Sequence, residues 1–287
     1  MWKERFRSRR RVKGLSDDPG QRSSALPPEN VFGHTKKVRL IRESLARLRA
    51  ELARPIGILD LGCGNGRALT RFLGEPRDRV LGIDSHGPSL AYARRHFAVE
   101  GIEFREGTAE ELGNVTDRFD VVILADVLEH VTEPDKLLSA AARLLLPGGR
   151  VLLTVPNGHG PFEIESAIGR VPLLGRLSLK AVDYFVAFLN RFVFRGAWSR
   201  AVGDAAEVPY NEESGHVQFF TRKRILGIAR DAGLEEMGQA GLSWLSGPYS
   251  NYLFGASRRF CEWNTRVAAS LPSWAVSGWL FELRKRR

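Results

Sequence analysis

The chain has 287 residues, of which 43% are hydrophobic and 26% charged, and its formal net charge at pH 7 is +10. This length holds one large domain with insertions, and the composition is that of an ordinary soluble globular protein. Its two cysteines, Cys63 and Cys261, are far apart and match no metal-binding spacing, which argues against a disulfide framework and fits a reducing cytoplasm.

Most of the excess positive charge lies near the two ends. Residues 1–22 carry eight Lys or Arg against three acids, and residues 282–287 carry four against one. Two interpretations stay open: a solvated, Arg-rich tail, or attraction to an anionic surface, either a membrane leaflet or RNA. No apolar stretch follows the arginines at 9–11, which argues against an export signal. We expect residues 1–30 to form a disordered basic tail.

An amphipathic helix is predicted over residues 34–53, where apolar side chains recur at helical spacing between basic ones. A tight glycine-rich turn follows it. There, an apolar run ends in Asp60 and leads into Gly62, Gly64 and Gly66, which predicts a buried parallel strand that turns sharply into a helix. The amides at the start of that helix would face a ligand. The G-x-G-x-G spacing departs from the dinucleotide fingerprint G-x-G-x-x-G, so NAD is not favoured.

Apolar strands alternate with helices from residue 56 to 155, which predicts a parallel sheet covered on both faces. Such sheets bind ligands past the carboxyl ends of their strands. Polar residues stand at four predicted strand ends: Asp60, Asp84, Thr108 and Asp126. The predicted strands are 56–61, 79–83, 102–106, 119–125 and 149–155.

Residues 158–214 are predicted to form a helical lid or acceptor insertion. Its apolar stretch at 173–195 is too short and too charged to span a bilayer, and it is either a lid helix or an amphipathic surface at a membrane. Residues 215–287 return the chain to the core. Thr221 is the predicted N-cap of a helix, and strands at 234–242 and 278–283 are expected to form an antiparallel edge around an aromatic helical insertion at 244–275.

Four segments in order resemble the motifs of class I S-adenosylmethionine-dependent methyltransferases, in the type 11 and type 23 group. They are the glycine turn, the run 80–84 ending in Asp84, the segment 104–110 (FREGTAE) and the segment 119–131 (FDVVILADVLEHV). The resemblance implies an α/β fold: a Rossmann-like seven-stranded mostly parallel sheet with helices on both faces, plus helical lid insertions. Residues 31–157 would form the S-adenosylmethionine-binding core.

The resemblance also implies which residues hold S-adenosyl-L-methionine. The glycine-turn amides would hold its methionyl part, with Asp60 near the amine, while Asp84 would accept hydrogen bonds from both ribose hydroxyls. Many relatives have an acid where this chain has Thr108, whose hydroxyl is a weaker acceptor for the adenine amine. The expected cofactor-binding residues are Asp60, Gly62, Gly64, Gly66, Asp84, Thr108, Ala109 and Ala125.

The segment from Asp126 to His130, together with the distant His216, is similar to the Glu-x-x-Glu-His…His pattern of ubiquinone-pathway O-methyltransferases and small-RNA 2′-O-methyltransferases. In those enzymes the pattern binds a divalent metal that holds the acceptor oxygens. Three interpretations stay open here. Asp126, Glu129, His130 and His216 bind a metal such as Mg²⁺; Glu129, His130 and His216 are catalytic without one, as base or orienting groups; or the cluster shapes the pocket.

These features predict a cytoplasmic S-adenosylmethionine-dependent methyltransferase that attacks through oxygen. The expected acceptor is a small molecule, a glycan or a lipid-linked intermediate, with peripheral contact at an anionic inner membrane face left open. The alternatives are an RNA 2′-O-methyltransferase, disfavoured because the basic residues are terminal, and a catalytically inactive binding module. His159 and Glu163 are weaker site candidates, and His34, His86 and His96 are interpreted as surface residues.

Overall fold

A computed structural model describes residues 26–108, 111–112, 115–170, 184, 216–255 and 257–286. The helices of this part are α1 (His34–Leu52), α2 (Gly87–Phe97), α3 (Pro134–Leu144), α4 (Pro161–Arg170), α5 (Arg222–Asp231), α6 (Pro248–Phe254) and α7 (Arg258–Ser270). The strands are β1 (Gly57–Leu61), β2 (Arg79–Asp84), β3 (Ile102–Glu106), β4 (Phe119–Ala125), β5 (Leu145–Pro156), β6 (Leu234–Gly241) and β7 (Gly278–Lys285). Short 3₁₀ helices lie at Thr70–Phe72, Leu128–His130 and Ser273–Ala275.

All seven strands form one sheet in the order β3-β2-β1-β4-β5-β7-β6. The first five pair in parallel, whereas β7 runs antiparallel to both β5 and β6. The strand order reverses between β1 and β4, and sheets of this kind bind ligands in the crevice outside the carboxyl ends at that point. The predicted fold class is confirmed.

The centre of the sheet is covered on both faces. Val122 and Leu124 of β4 belong to the buried cluster that includes α3, while Val121 and Ile123 belong to the cluster that includes α1. A strand buried on both faces needs apolar residues on both, which explains the apolar run 121–125 of β4. Asp120 before this run is also buried, and its carboxylate accepts from Arg54 and from Gly57 N. Packing of α1 on one face and α3 on the other holds β4 in place, and with it the carboxyl end of this strand, where the site forms.

Ordered structure begins before residue 31, the first residue after the predicted tail. Residues 1–25 lie outside the described residues, but residues 26–30, predicted to belong to a disordered tail, are held against α1. The Glu29 carboxylate accepts hydrogen bonds from the amides of Thr35 (2.9 Å) and Lys36 (2.8 Å), and Val31 is fully buried. The carboxylate thereby satisfies amides at the helix start that have no intrahelical partner.

The prediction of a helix directly after the glycine turn is wrong. Residues 62–69 form turns, and only the 3₁₀ helix Thr70–Phe72 follows. Two observations explain this. The stretch between Gly66 and Gly74 is too short to support an isolated helix, and the Thr70 hydroxyl is held by Asp60 Oδ2 at 2.7 Å. The expected anion-binding helix terminus is therefore not present at this turn.

The second half of the sheet agrees with the sequence in outline. Thr221 caps α5 by accepting from the Arg224 amide (3.2 Å), as predicted, and α6 and α7 lie within the aromatic insertion at 244–275. Strand β5 begins at Leu145, four residues before its predicted start. Of the predicted lid, α4 is described, whereas residues 171–183 and 185–215 lie outside the described residues. No described helix combines the length and apolarity that crossing a membrane requires.

Candidate active site

The glycine turn leaves open space above β1 at one position. Gly62, Gly64 and Gly66 have φ values of 73°, 55° and 69°, which side chains rarely adopt. A Cβ on Gly62 would lie 2.5 Å from Val127 Cγ2, whereas a Cβ on Gly64 would meet no described atom within 4 Å. Gly62 therefore permits close packing of the protein, and Gly64 is the position at which a ligand can approach the backbone.

The amides of this turn are used within the protein, which differs from the expectation that they hold the cofactor. Gly62 N donates to Ile83 O (2.8 Å), Gly64 N to Asp84 Oδ2 (2.7 Å) and Gly66 N to Cys63 O (3.0 Å). The glycines thus shape the cradle sterically. Two of these three amides donate to the end of β2, and the third donates within the turn itself.

Asp60 lies at the carboxyl end of β1, where it is buried beneath the glycine turn. Burial, reinforced by the nearby charge of Asp84, raises the pKa of Asp60 to about 7. Thr70 Oγ1 donates to Asp60 Oδ2 at 2.7 Å, and this hydrogen bond acts to lower the pKa of Asp60. An acid of this kind ionises readily when a cationic group, such as an ammonium, comes close.

Asp84 stands at the end of β2 and closes the glycine turn from the other side. Its Oδ2 atom accepts from Gly64 N, and its Oδ1 atom accepts from His86 N at 2.8 Å. Each carboxylate oxygen has a second lone pair, so the carboxylate can accept further hydrogen bonds from a vicinal diol. The backbone contacts fix its orientation for that purpose.

Thr108 follows β3 and is exposed, and Ala109 lies outside the described residues. The Thr108 amide donates to Glu111 Oε2 at 2.9 Å. Ile83, Thr108 and Glu111 are among the residues that line a cavity of about 200 Å³. An acid three residues after the expected position therefore stands at this cavity, and the sequence signal for it was the Glu110-Glu111 pair.

Asp126 follows Ala125, the last residue of β4, and has an unusual φ of 58° for a residue other than glycine. Thr154 Oγ1 donates to its Oδ1 atom at 2.7 Å, and Lys37 Nζ forms a short ion pair with its Oδ2 atom. Partial burial acts against ionisation, but Lys37 and Thr154 outweigh it and lower the pKa of Asp126. Both carboxylate oxygens are thus held by the protein.

Glu129, His130 and His216 converge next to this position. One ligand atom of each lies within 4.8 Å of the others, which places residues from two distant segments in one cluster. The His130 and His216 rings meet edge to face, with centroids 5.1 Å apart. The segment after the lid is attached here by its backbone, because Val217 N donates to Glu129 O at 2.8 Å. Asp126, predicted as a fourth ligand, is not part of the converging set.

Glu129 is the most buried acid of the cluster. It is 1% exposed, and its Oε2 atom has no hydrogen-bond partner among the described residues. Burial, with a contribution from Asp126, raises its pKa well above the ordinary value. A buried carboxylate oxygen without a partner, beside two imidazoles, fits a divalent cation, since carboxylate and imidazole both bind such ions. Glu129, His130 and His216 therefore fit a divalent cation as ligands.

Two further residues complete the cluster. Glu163 of α4, a weaker candidate from the sequence, is buried and its Oε1 atom lies 3.0 Å from His216 Nδ1. Lys37 of α1 was not singled out, because in the sequence it is one of several basic residues on an amphipathic helix. His34, expected at the surface, is partly buried with its Nε2 3.0 Å from Ala68 O, and burial together with Lys37 lowers its pKa to about 4.

Comparison with known sequences identifies proteins with the same domain. Residues 32–237 match a family model described as a methyltransferase domain. The chain is 34% identical over 166 residues to the ubiquinone biosynthesis O-methyltransferase of Pseudomonas aeruginosa, which covers 55% of this chain and 70% of that protein. The protein of the same name from Pseudomonas syringae pv. tomato is 31% identical over 195 residues, or 66% of this chain and 82% of that protein.

Solved structures share the fold at low sequence identity. The cyclase SpnF aligns over 91% of this chain and 88% of its own, with a TM-score of 0.52 and 16% identity. The plantazolicin methyltransferase BamL, solved with a substrate analogue and S-adenosylhomocysteine, aligns over 100% of this chain and 90% of its own, with a TM-score of 0.51 and 13% identity. These similarities show the fold alone.

Proposed function

Because the chain belongs to the methyltransferase domain family and is an S-adenosylmethionine-dependent methyltransferase, we propose that it methylates an oxygen atom of an acceptor bound at Glu129, His130 and His216. The observation that carries this proposal is the convergence of these three side chains beside the carboxyl end of β4. That position borders the point at which the strand order reverses, where sheets of this kind bind ligands.

The cofactor side of the proposal rests on three residues. We infer that the open space at Gly64 admits the donor, that Asp60 pairs with the ammonium of its methionyl part, and that Asp84 accepts from its ribose hydroxyls. Asp60 and Asp84 stand on the neighbouring strands β1 and β2, so one extended ligand can contact both. These groups bind and orient; the leaving group is already part of the donor.

Methyl transfer requires alignment more than it requires a strong base. The acceptor oxygen forms a bond to the methyl carbon while the carbon–sulfur bond breaks, and that electron pair goes to sulfur. Holding the reacting atoms in line contributes up to about 7–11 kcal/mol in well-oriented systems. Removal of the hydroxyl proton by a positioned side chain adds about 10² to 10⁴ in rate.

His216 is the side chain best placed to take that proton. Its Nδ1 atom faces the Glu163 carboxylate at 3.0 Å, so this nitrogen carries the hydrogen of the neutral ring and donates it. The lone pair then lies on Nε2, which can accept a proton from a hydroxyl. Glu163 stabilises the imidazolium that results.

A divalent cation, when bound, would lower the pKa of the acceptor hydroxyl and orient it, and Glu129, His130 and His216 would hold it. His216 would then bind the cation through Nε2, so the lowered pKa of the hydroxyl would take the place of proton removal by that nitrogen. The fit of that set rests on the unpartnered Glu129 Oε2 atom. We propose Mg²⁺ because it is an abundant cation that carboxylate oxygen accepts readily.

For the acceptor we propose a small or lipid-linked molecule with a hydroxyl group, reached from the cytoplasm. The relatives named for ubiquinone biosynthesis support a small-molecule hydroxyl. Trp263 and Trp274 are exposed on the aromatic insertion, and the chain is basic, which supports peripheral contact with an anionic membrane face. A glycan carried on a lipid would offer a hydroxyl group and would lie at such a membrane face.

The test is transfer of labelled methyl from S-adenosylmethionine into extracts of the source organism, separated into lipid, glycan, RNA and small-metabolite fractions. We expect alkali-stable label in the lipid, glycan or small-metabolite fraction, and its loss with H216N but not with H159N. His159 is a matched control because it follows the carboxyl end of β5, as the cluster follows that of β4, but lies outside the converging set. Label in RNA, or none despite S-adenosylhomocysteine binding, would overturn the proposal.

A further inference from the structure

Lys37 occupies an unusual position for a lysine. It lies in the first turn of α1, its side chain is 10% exposed, and its ammonium group pairs with Asp126 Oδ2. The helix holds it in place, because Val38 and Ile41 beside it are fully buried against the sheet. A buried ammonium costs free energy unless it is paired, so the pair with Asp126 is a fixed part of the site.

The same ammonium group acts on several acids at once. Its charge favours the ionised forms of Asp60 in β1, Asp126 directly after β4 and Glu129 in the 3₁₀ helix that follows. Of these acids, Asp126 is the one in direct contact. With Thr154 on its other oxygen, Asp126 has both oxygens held by the protein, and it is not part of the converging set of Glu129, His130 and His216.

We propose that Lys37 is a positioning residue that keeps Asp126 out of the cation site. The site then binds a divalent cation through Glu129, His130 and His216 alone, and the remaining coordination positions are left to the acceptor and water. The inference rests on the proposed function only in that this cluster is taken as the cation site.

Lys37 and a bound cation would compete for the carboxylate of Asp126. Asp126 lies three residues before Glu129, close enough along the chain for its side chain to reach the cluster if the ammonium were absent. A second carboxylate would strengthen the binding of a hard divalent cation, and partners that orient ligands typically change metal affinity about 10- to 100-fold. Lys37 therefore sets a weaker affinity and a more open coordination sphere than four protein ligands would give.

The experiment is a titration of the full-length protein with Mn²⁺, with free Mn²⁺ measured by electron paramagnetic resonance. The variants are K37M, D126N and the double variant K37M/D126N, which form a double-mutant cycle. We expect K37M to bind Mn²⁺ at least about tenfold more tightly, D126N to differ less than about twofold from the wild type, and the double variant to lose the gain. E129Q should abolish binding.

Three results would overturn the inference: D126N weakening Mn²⁺ binding as much as E129Q, K37M binding no more tightly than the wild type, or no binding by either. A wild type without measurable binding beside a K37M variant that binds would support the restraint of Asp126 by Lys37 but overturn the three-ligand site of the wild type. K37R keeps the cation and should retain wild-type affinity, which separates the effect of charge from a folding defect. Because the titration needs no acceptor, methyl transfer measured separately shows whether the proposed function itself fails.

Discussion

Glu163 Oε1 and His216 Nδ1 lie 3.0 Å apart although 53 positions separate them in the chain. The contact joins α4 to the segment that returns after the lid, and it orients the imidazole toward Glu129 and His130. Carboxylate–imidazole pairs of this kind fix both the ring orientation and the tautomer. Glu163 is therefore part of the site through His216.

Replacing Glu163 with glutamine should lower methyl transfer about 10- to 100-fold, because the ring loses the charge that stabilises its protonated form. Initial rates under saturating donor measure this, with S-adenosylhomocysteine affinity expected to change less than about twofold. The matched control is E165Q on the same helix. Glu165 accepts from Ser250 N (2.9 Å) at the start of α6, so E165Q should lower thermal stability but keep the transfer rate. Equal rates for E163Q and wild type would contradict the role of Glu163.

Alanine at two glycines of the turn, Gly64 and Gly62, should have different effects. G64A introduces strain of about 1–2 kcal/mol at positive φ, but its main effect should be at least a tenfold loss of S-adenosylhomocysteine affinity, since the methyl group enters the open cradle. G62A adds the contact with Val127 and should lower stability further. Thermal unfolding and calorimetric titration separate the two. Unchanged S-adenosylhomocysteine binding by G64A would show that the ligand lies elsewhere.

Binding of S-adenosylhomocysteine should strengthen as pH rises from 6 to 8. Burial raises the pKa of Asp60 to about 7, so the free protein holds a proton there that the bound ammonium displaces. If only the ionised form binds, the gain is about tenfold over this range. Titration in buffers of different ionisation enthalpy should detect proton release, and D60N should abolish it. A flat profile for the wild type would exclude pairing of Asp60 with the ammonium.

The same ionisation affects folding with a definite sign. The folded pKa of Asp60 is higher than its ordinary value, so the folded state binds more protons than the unfolded state between about pH 4 and pH 7. The contribution of Asp60 to stability therefore falls as pH rises through this window. Denaturant unfolding of D60N should lack this component, and a wild-type profile identical to that of D60N would refute it.

Glu111 should contribute to donor binding in place of the missing acid at Thr108. It lines the cavity after β3 and is held near the Thr108 amide. E111Q should weaken S-adenosylhomocysteine binding about 3- to 10-fold, the loss expected for one ordinary hydrogen bond. E103Q on the exposed side of β3 is the control and should bind normally. If both variants bind equally well, the adenine contact has another source.

The sheet could be predicted from the sequence because its signal is local. The apolar run 121–125 indicates a strand buried on both faces, and Thr221 before an amphipathic stretch is a capping signal that depends on neighbours only. The strand ends at Asp60 and Asp84 were found in the same way. Each of these features is set by residues within a few positions of one another.

The side-chain pairs of the site could not be predicted, because tertiary packing sets them. Lys37 reaches Asp126 only because α1 covers one face of β4, and nothing in the local pattern separates Lys37 from the other basic residues of the helix. The helix expected after the glycine turn failed for a related reason: Thr70 is a neutral residue in a helical pattern, but here its hydroxyl is committed to Asp60. Contacts between distant residues outweigh propensity at such places.

The position of β7 has a consequence for synthesis on the ribosome. Strand β7 lies between β5 and β6, so β6 has no partner in the sheet until the later strand has been made. A nascent chain can assemble β1 to β5 as residues emerge, but it must hold β5 with one open edge while the whole aromatic insertion is translated. When β7 is released, it pairs with β5 and with β6 at once and completes the sheet. Chaperone dependence and cotranslational misfolding of this protein should therefore concentrate in the interval between the release of β5 and the release of β7.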